Sequence, residues 1–272
     1  MEINLKGIGM KTLSRPEIGV STLHLLSEPF NKMVRKITNI NASHIEIVDD
    51  GLHSLDKQRI TRLMDIGKTY DVKFSVHAPF ADINIASPSH SILKAMLKRL
   101  ENSIKLASLL EAYIWVFHPG LKTGVSMFYP GEDWKQNRKT AQLLYKIASD
   151  YGLEIAIENV PEPYPFLMKG VKDFEKFYSE VSEPIGLALD IGHSNINGQT
   201  EHFLKMLADK IVHIHAHDND GRNDLHLGIG YGTVDWHGFA RLLREISYDK
   251  VVIVESVENV AESVQKLKEM LK

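Results

Sequence analysis

The chain has 272 residues, 43% hydrophobic and 25% charged: enough apolar material for one large core and enough charge to cover it. Lysine and arginine total 32 against 35 aspartates and glutamates, and a formal charge of −3 provides no basic footprint for nucleic acid. The lack of cysteine excludes disulfides, thiol catalysis and zinc–thiolate sites, so a metal must be held by imidazoles and carboxylates.

The first 16 residues, opening MEINLKGIGMK, read as an N-terminal extension covering the bottom of the fold. They lack an apolar run of signal-peptide length, and no stretch approaches the roughly 18 apolar residues of a membrane span. A cytoplasmic protein with no membrane partner is expected. Beyond them, short β-rich runs alternate with longer amphipathic ones. Strands are expected over 17–23 (EIGVSTL), 44–48 (HIEIV), 72–78 (VKFSVHA) and 113–118 (YIWVFH). Four more follow at 153–159 (LEIAIEN), 185–190 (IGLALD), 211–217 (IVHIHAH) and 250–256 (KVVIVES).

The segments between carry helical periodicity. Leu93, Met96, Leu97, Leu100, Ile104 and Ala107 mark one helix face behind Ser89, a candidate N-cap, and Val260, Val264, Leu267 and Leu271 mark the last helix. Eight strands alternating with helices, without a low-complexity linker, predict one α/β domain over 1–272, a (β/α)8 TIM barrel. A doubly wound open sheet is the alternative, but no glycine-rich phosphate loop follows the first strand.

The polar residues fall in a pattern. Glu46, His77, His118, Glu158, Asp190, His215 or His217, and Glu255 end strands two to eight in turn. In a barrel these ends share one mouth, where the active site sits. A carboxylate cluster there is repulsive unless protons or cations neutralise it, and divalent cations accept both imidazole nitrogen and carboxylate oxygen. Taken singly, His77 and His118 also read as satisfied core histidines, and Asp190 as the cap of the next helix. Glu158, inside a strand of isoleucine and alanine, is harder to place without a partner or metal, and Glu255 repeats its pattern. Side chains alternate along a strand, so His213 is expected deep in the barrel while His215 reaches the mouth. Asp224 and His226, two apart beyond the strand, suit either a polar loop or a ligand pair.

The segments VHAPFADINIASP, FHPG, IENV, LDIGHSN, HIHAHDNDGRNDLHLGIGYG and VIVES occur in this order. Together they resemble the xylose isomerase-like barrel superfamily, which holds sugar and sugar-phosphate isomerases and epimerases as well as nucleases of the endonuclease IV type. The resemblance runs from about residue 17 onward. It implies one to three divalent ions per chain, zinc first, with manganese or magnesium as alternatives. The nuclease set would place one ion on His77, His118 and Glu158. A second would share Glu158 with Asp190, His215 and Glu255, and a third would sit on His193, Asp224 and His226. The epimerase branch implies the Glu158, Asp190, His215 and Glu255 site alone.

On the isomerase or epimerase reading, Glu158 and Glu255 trade a proton across a metal-stabilised enediolate of a sugar or sugar phosphate. His193, His217, Asp218 and Glu46 are then expected to meet substrate, and Gly230, with Gly228 and Gly232, to offer backbone amides to a phosphate. On the alternative reading, three zinc ions cleave a phosphodiester in abasic DNA. Two departures weigh against DNA. Leu225 stands where the nuclease pattern has Arg, and Phe80 is nearest to its usual Tyr. The stiff PEPYP loop at 161–165 is either a lid or a connector.

Overall fold

The computed structural model describes residues 15–40 and 42–272. Nearly all of the expected N-terminal extension therefore lies outside the described residues. The strands are β1 (Glu17–Ser21), β2 (His44–Val48), β3 (Lys73–His77), β4 (Trp115–Phe117), β5 (Ile155–Glu158), β6 (Gly186–Asp190), β7 (Ile211–Ala216) and β8 (Val251–Val254). They pair in chain order, each neighbour parallel, and β1 closes against β8. The helices are α1 (Phe30–Ile37), α2 (Lys57–Tyr70), α3 (His90–Leu109), α4 (Glu132–Asp150) and α5 (Val171–Glu180). They continue with α6 (Ile191–Ile196), α7 (Thr200–Met206), α8 (Trp236–Glu245) and α9 (Val260–Met270). This is the TIM barrel that the strand–helix alternation predicts.

Expected strand ends contract where local hydrogen bonds compete. β1 stops at Ser21, whose hydroxyl accepts the Leu23 amide at 3.3 Å and turns 22–25 into a 3-10 helix. Ser89 does occupy the N-cap position of α3, but its side chain makes no capping bond. The apolar stripe of α3 behaves as its spacing requires: Leu93, Met96, Leu100, Ile104 and Ala107 are buried.

Two apolar regions hold the fold. The larger fills the space between the strands and the helical ring, with Ile45, Ile47, Phe117, Ile157, Phe174 and Phe239 among its members. The smaller lies inside the barrel and consists of Ile114, Val116, Ala156 and Ala188. The opposite interior wall is polar: Glu46, Ser75 and His213 are fully buried and bonded to one another, His213 Nε2 at 2.8 Å and the Ser75 hydroxyl at 2.9 Å from Glu46 Oε2. A carboxylate at that depth is tolerable only with such partners. Among the described residues no helix is long and apolar enough to cross a membrane.

Candidate metal centre

The β5 run Ile155-Ala156-Ile157 ends in Glu158, and the pleat turns this carboxylate into the barrel mouth with 1% of its surface exposed. Four imidazoles surround it. His77 from β3 and His118 after β4 bring Nε2 to 3.3 Å from Oε2. His215 from β7 and His193 from α6 bring Nδ1 to 3.3 and 3.4 Å from Oε1. Asp190 ends β6 and serves α6 as well: its Oδ1 accepts the His193 amide at 2.7 Å, the capping role, while its Oδ2 is buried without a hydrogen-bond partner. Glu255 follows β8 and approaches His215 Nδ1 to 3.6 Å.

Among the described residues three donor groups face the mouth, each with its ligand atoms within 4.8 Å of one another, above a fourth and deeper group of Glu46, His213 and His215. One is His77, His118 and Glu158; the central one is Glu158, Asp190, His215 and Glu255; the third joins His193, Asp224 and His226 with His217. The contact lengths bear on what these groups hold. The ordinary hydrogen bonds of Asp49 with Arg99 and of Glu46 with His213 lie at 2.8 Å. The mouth contacts lie instead between 3.1 and 3.6 Å, most of them at 3.3 Å or more. Ligands about 2.0–2.1 Å from a tetrahedral ion stand about 3.3 Å apart, so the spacing suits atoms that share a cation better than atoms that share a proton.

Backbone carbonyls also select the ring nitrogens. His77 Nδ1 meets Ala78 O at 2.9 Å, His193 Nδ1 meets Asn159 O at 2.9 Å, and His226 Nδ1 meets Glu255 O at 3.0 Å. A carbonyl only accepts, so each Nδ1 carries the proton and each Nε2 is left as the donor toward a cation. His215 is reversed: Nε2 faces Glu46 Oε1 at 2.9 Å, and Nδ1 faces the mouth.

The metal-free electrostatics fit an exchange of protons for cations. Burial works to raise the Glu158 carboxyl, but His215 and His118 hold it well below the usual carboxylate range. Burial likewise opposes the charge on His77, yet the Glu158 contact prevails and raises this imidazole to about 9. His193 and His215 are raised against burial by Asp190 and by Glu255 respectively. These residues fit a divalent cation: buried anions, imidazoles turned by second partners, and unsatisfied donor atoms at cation spacing.

Some expected substrate contacts lie elsewhere. Glu46 is not at the mouth: it pairs with Ser75, two residues short of the pairing of Val48 with His77, and sits fully buried beneath His215. The strand is five residues long with Glu46 at its centre, so Asp49 and Asp50 are the residues beyond its end. Asp49 binds Arg99 of α3, and Asp50 accepts the Phe80 and Ala81 amides at 3.0 and 2.8 Å. Asp218 is buried and taken up by the Asn219, Gly230 and Val234 amides and the Trp236 indole. That consumes the Gly230 amide, and a Cβ at Gly232 would lie 2.1 Å from Asn219 O, so these glycines fold the loop around Asp218. His217 is buried in the third donor group.

Asn159 escaped the sequence reading although it adjoins Glu158. Its side chain accepts the Asp190 amide at 2.7 Å and donates to the Asp190 carbonyl at 3.1 Å, while its own carbonyl orients His193. Phe80 and Phe166 pack against His118, at centroid distances of 5.7 and 5.8 Å, as an aromatic wall beside the mouth. A groove of about 700 Å3, lined in part by Phe166, Lys122 and Lys169, opens next to that wall, with Glu162 of the PEPYP loop at its rim. It contains none of the clustered donors, so it is a neighbour of the centre and not the centre itself.

A family model described as the xylose isomerase-like TIM barrel matches residues 34–272, and the chain belongs to that family. An uncharacterized protein of Methanocaldococcus jannaschii is 35% identical over 266 residues, 94% of this chain and 88% of the relative. The crystal structure of a D-tagatose 3-epimerase-like protein has a TM-score of 0.88 at 32% identity and covers 94% of this chain and 97% of its own. A probable endonuclease 4 of Aquifex aeolicus is 24% identical over 211 residues, 70% of this chain and 72% of the relative.

Proposed function

We propose that this protein is a divalent-metal-dependent isomerase or epimerase of a small sugar or sugar phosphate. The observation that carries the reading is the central group, in which Glu158 and Glu255 both approach His215 Nδ1 beside Asp190. A divalent ion held there, zinc first with manganese or magnesium as alternatives, supplies Lewis-acid polarisation of a carbonyl and the neighbouring hydroxyl. Glu158 and Glu255 come from different strands, β5 and β8, and flank that position. One carboxylate removes the proton from the carbon next to the carbonyl, and the other returns one to its opposite face or to the adjacent carbon. His193 Nδ1 lies 3.4 Å from Glu158 Oε1 and joins the central group to the neighbouring one. The aromatic wall of Phe80 and Phe166 offers an apolar face for the carbon side of a sugar and keeps water from that flank.

The likeness to the D-tagatose 3-epimerase-like structure supports this reading, as does the lack of net positive charge. A second reading, a zinc phosphodiesterase acting on abasic DNA, is favoured by two observations: two further donor groups at the mouth adjoin the central one, and the Aquifex relative spans 70% of the chain. One experiment separates them. Metal-replete protein is incubated in deuterium oxide with a panel of ketoses and ketose phosphates, and separately with abasic duplex. Deuterium in a recovered sugar is the expected result. Strand cleavage without sugar exchange replaces the isomerase reading with the hydrolytic one.

A further inference from the structure

The resemblance assigns three residues to the outermost ion; the structure supplies a fourth. We propose that His217 completes a closed, four-donor metal site with His193, Asp224 and His226, and that the ion there is structural: it clamps the β7–α8 loop to the barrel and leaves no position for substrate. The inference rests on the metal-dependent reading of the barrel, but it concerns metal retention and not turnover.

Three observations point to His217 as a ligand. Its ring is fully buried, and Nε2 has no hydrogen-bond partner although it lies 3.1 Å from Asp190 Oδ1 and 3.6 Å from Asp224 Oδ1. Its Nδ1 faces the Asp218 carbonyl at 3.3 Å, which leaves Nε2 as the donor, as in His193 and His226. The third observation is Gly192. A Cβ there would stand 2.0 Å from Cε1 and 2.4 Å from Nε2 of His217. Gly192 lies within α6 and does not have a positive φ, so the backbone does not require glycine; the imidazole does.

The donors come from three segments. His193 belongs to α6, His217 follows β7, and Asp224 and His226 lie seven and nine positions beyond it, in the loop before α8. His226 Nε2 and His217 Nε2 converge on Asp224 Oδ1, at 3.4 and 3.6 Å, and His193 Nε2 reaches Asp224 Oδ2 at 3.3 Å. His226 adopts a positive φ of 47°, an uncommon backbone state for a non-glycine residue and one that its surroundings have to hold. Four protein ligands saturate tetrahedral zinc, and none of these four is asked to move a proton; the central group also has four donors, but two of them, Glu158 and Glu255, are the carboxylates that the proposed chemistry uses. The group of His77, His118 and Glu158 has only three donors and keeps a position open.

The test loads wild type, His217→Asn and Gly192→Ala with zinc and dialyses them against chelators of graded strength. Zinc per chain is read by elemental analysis, and the zinc-induced rise in melting temperature is read against each variant's own metal-free form. Wild type is expected to retain one zinc after the other sites are stripped. Both variants are expected to release that ion at least tenfold more readily, and proteolysis of the 218–230 loop in them should match metal-free wild type. Retention by His217→Asn equal to wild type overturns the proposal and leaves His217 as a neighbour of Asp190. So does a wild type that keeps no ion. Either outcome is independent of whether sugars exchange deuterium.

Discussion

Glu158 is the residue on which the site converges, because one buried carboxylate faces His77, His118, His193 and His215 at once. Removing its charge takes away the carboxylate that His77 and His118 face and, on the proposed reading, a proton-transfer group. Glu158→Gln keeps the shape, so turnover is expected to fall by at least about 10³-fold while the metal-free fold survives. Circular dichroism and a turnover assay on the same preparation check both halves; an active variant removes Glu158 from the chemistry. The need for a partner at Glu158 was visible in the sequence, because an acid among isoleucines is rarely buried alone. Glu46 looked equivalent and was not. Both are carboxylates in apolar strands, and only the register of β2 against β3 shows that one stops a layer lower, under His215.

At the scale of elements, β2 and β7 form the polar wall of the barrel, and their lower end has its own pH sensitivity. His44 opens β2, fully buried, with neither ring nitrogen hydrogen-bonded and with the Tyr113 ring edge-on at 5.9 Å. Burial, reinforced by repulsion from His213, lowers this imidazole to about 4. The folded chain thus holds His44 neutral where the unfolded chain protonates it. Its contribution to stability is intact above about pH 6.5 and declines as pH falls toward about 4, by about 3 kcal/mol in total. His44→Leu is expected to remove that part of the acid sensitivity. Urea unfolding of metal-free wild type and variant at pH 7 and pH 4 measures it; equal losses in the two proteins refute it. The alternation of β7 correctly put His213 below His215. The glycines of the following loop were legible as turn-formers, but that they close on Asp218 depends on hydrogen bonds across up to sixteen positions.

For the whole molecule, the charge of −3 leads to a direct expectation about DNA. Affinity for duplex rests on phosphate neutralisation, so binding to an abasic duplex at physiological salt should be feeble, with a shallow dependence on salt. Tight, steeply salt-dependent binding in a fluorescence anisotropy titration overturns this and strengthens the phosphodiesterase reading. Architecture and the main donors were readable before any coordinates. Strand and helix periods are local, and a parallel barrel puts every strand end on one face, so His77, His118, Glu158, Asp190, His215 and Glu255 could be grouped without knowing a distance. What the chain alone could not settle is depth and direction. The register buried Glu46, the packing of Gly192 admitted the His217 ring, and backbone carbonyls chose which nitrogen each imidazole turns to the mouth. Those properties belong to contacts between segments far apart in sequence. The pattern of residue types therefore determined that these imidazoles and carboxylates meet at one mouth, and only the tertiary structure decided which of them lie within reach of one another.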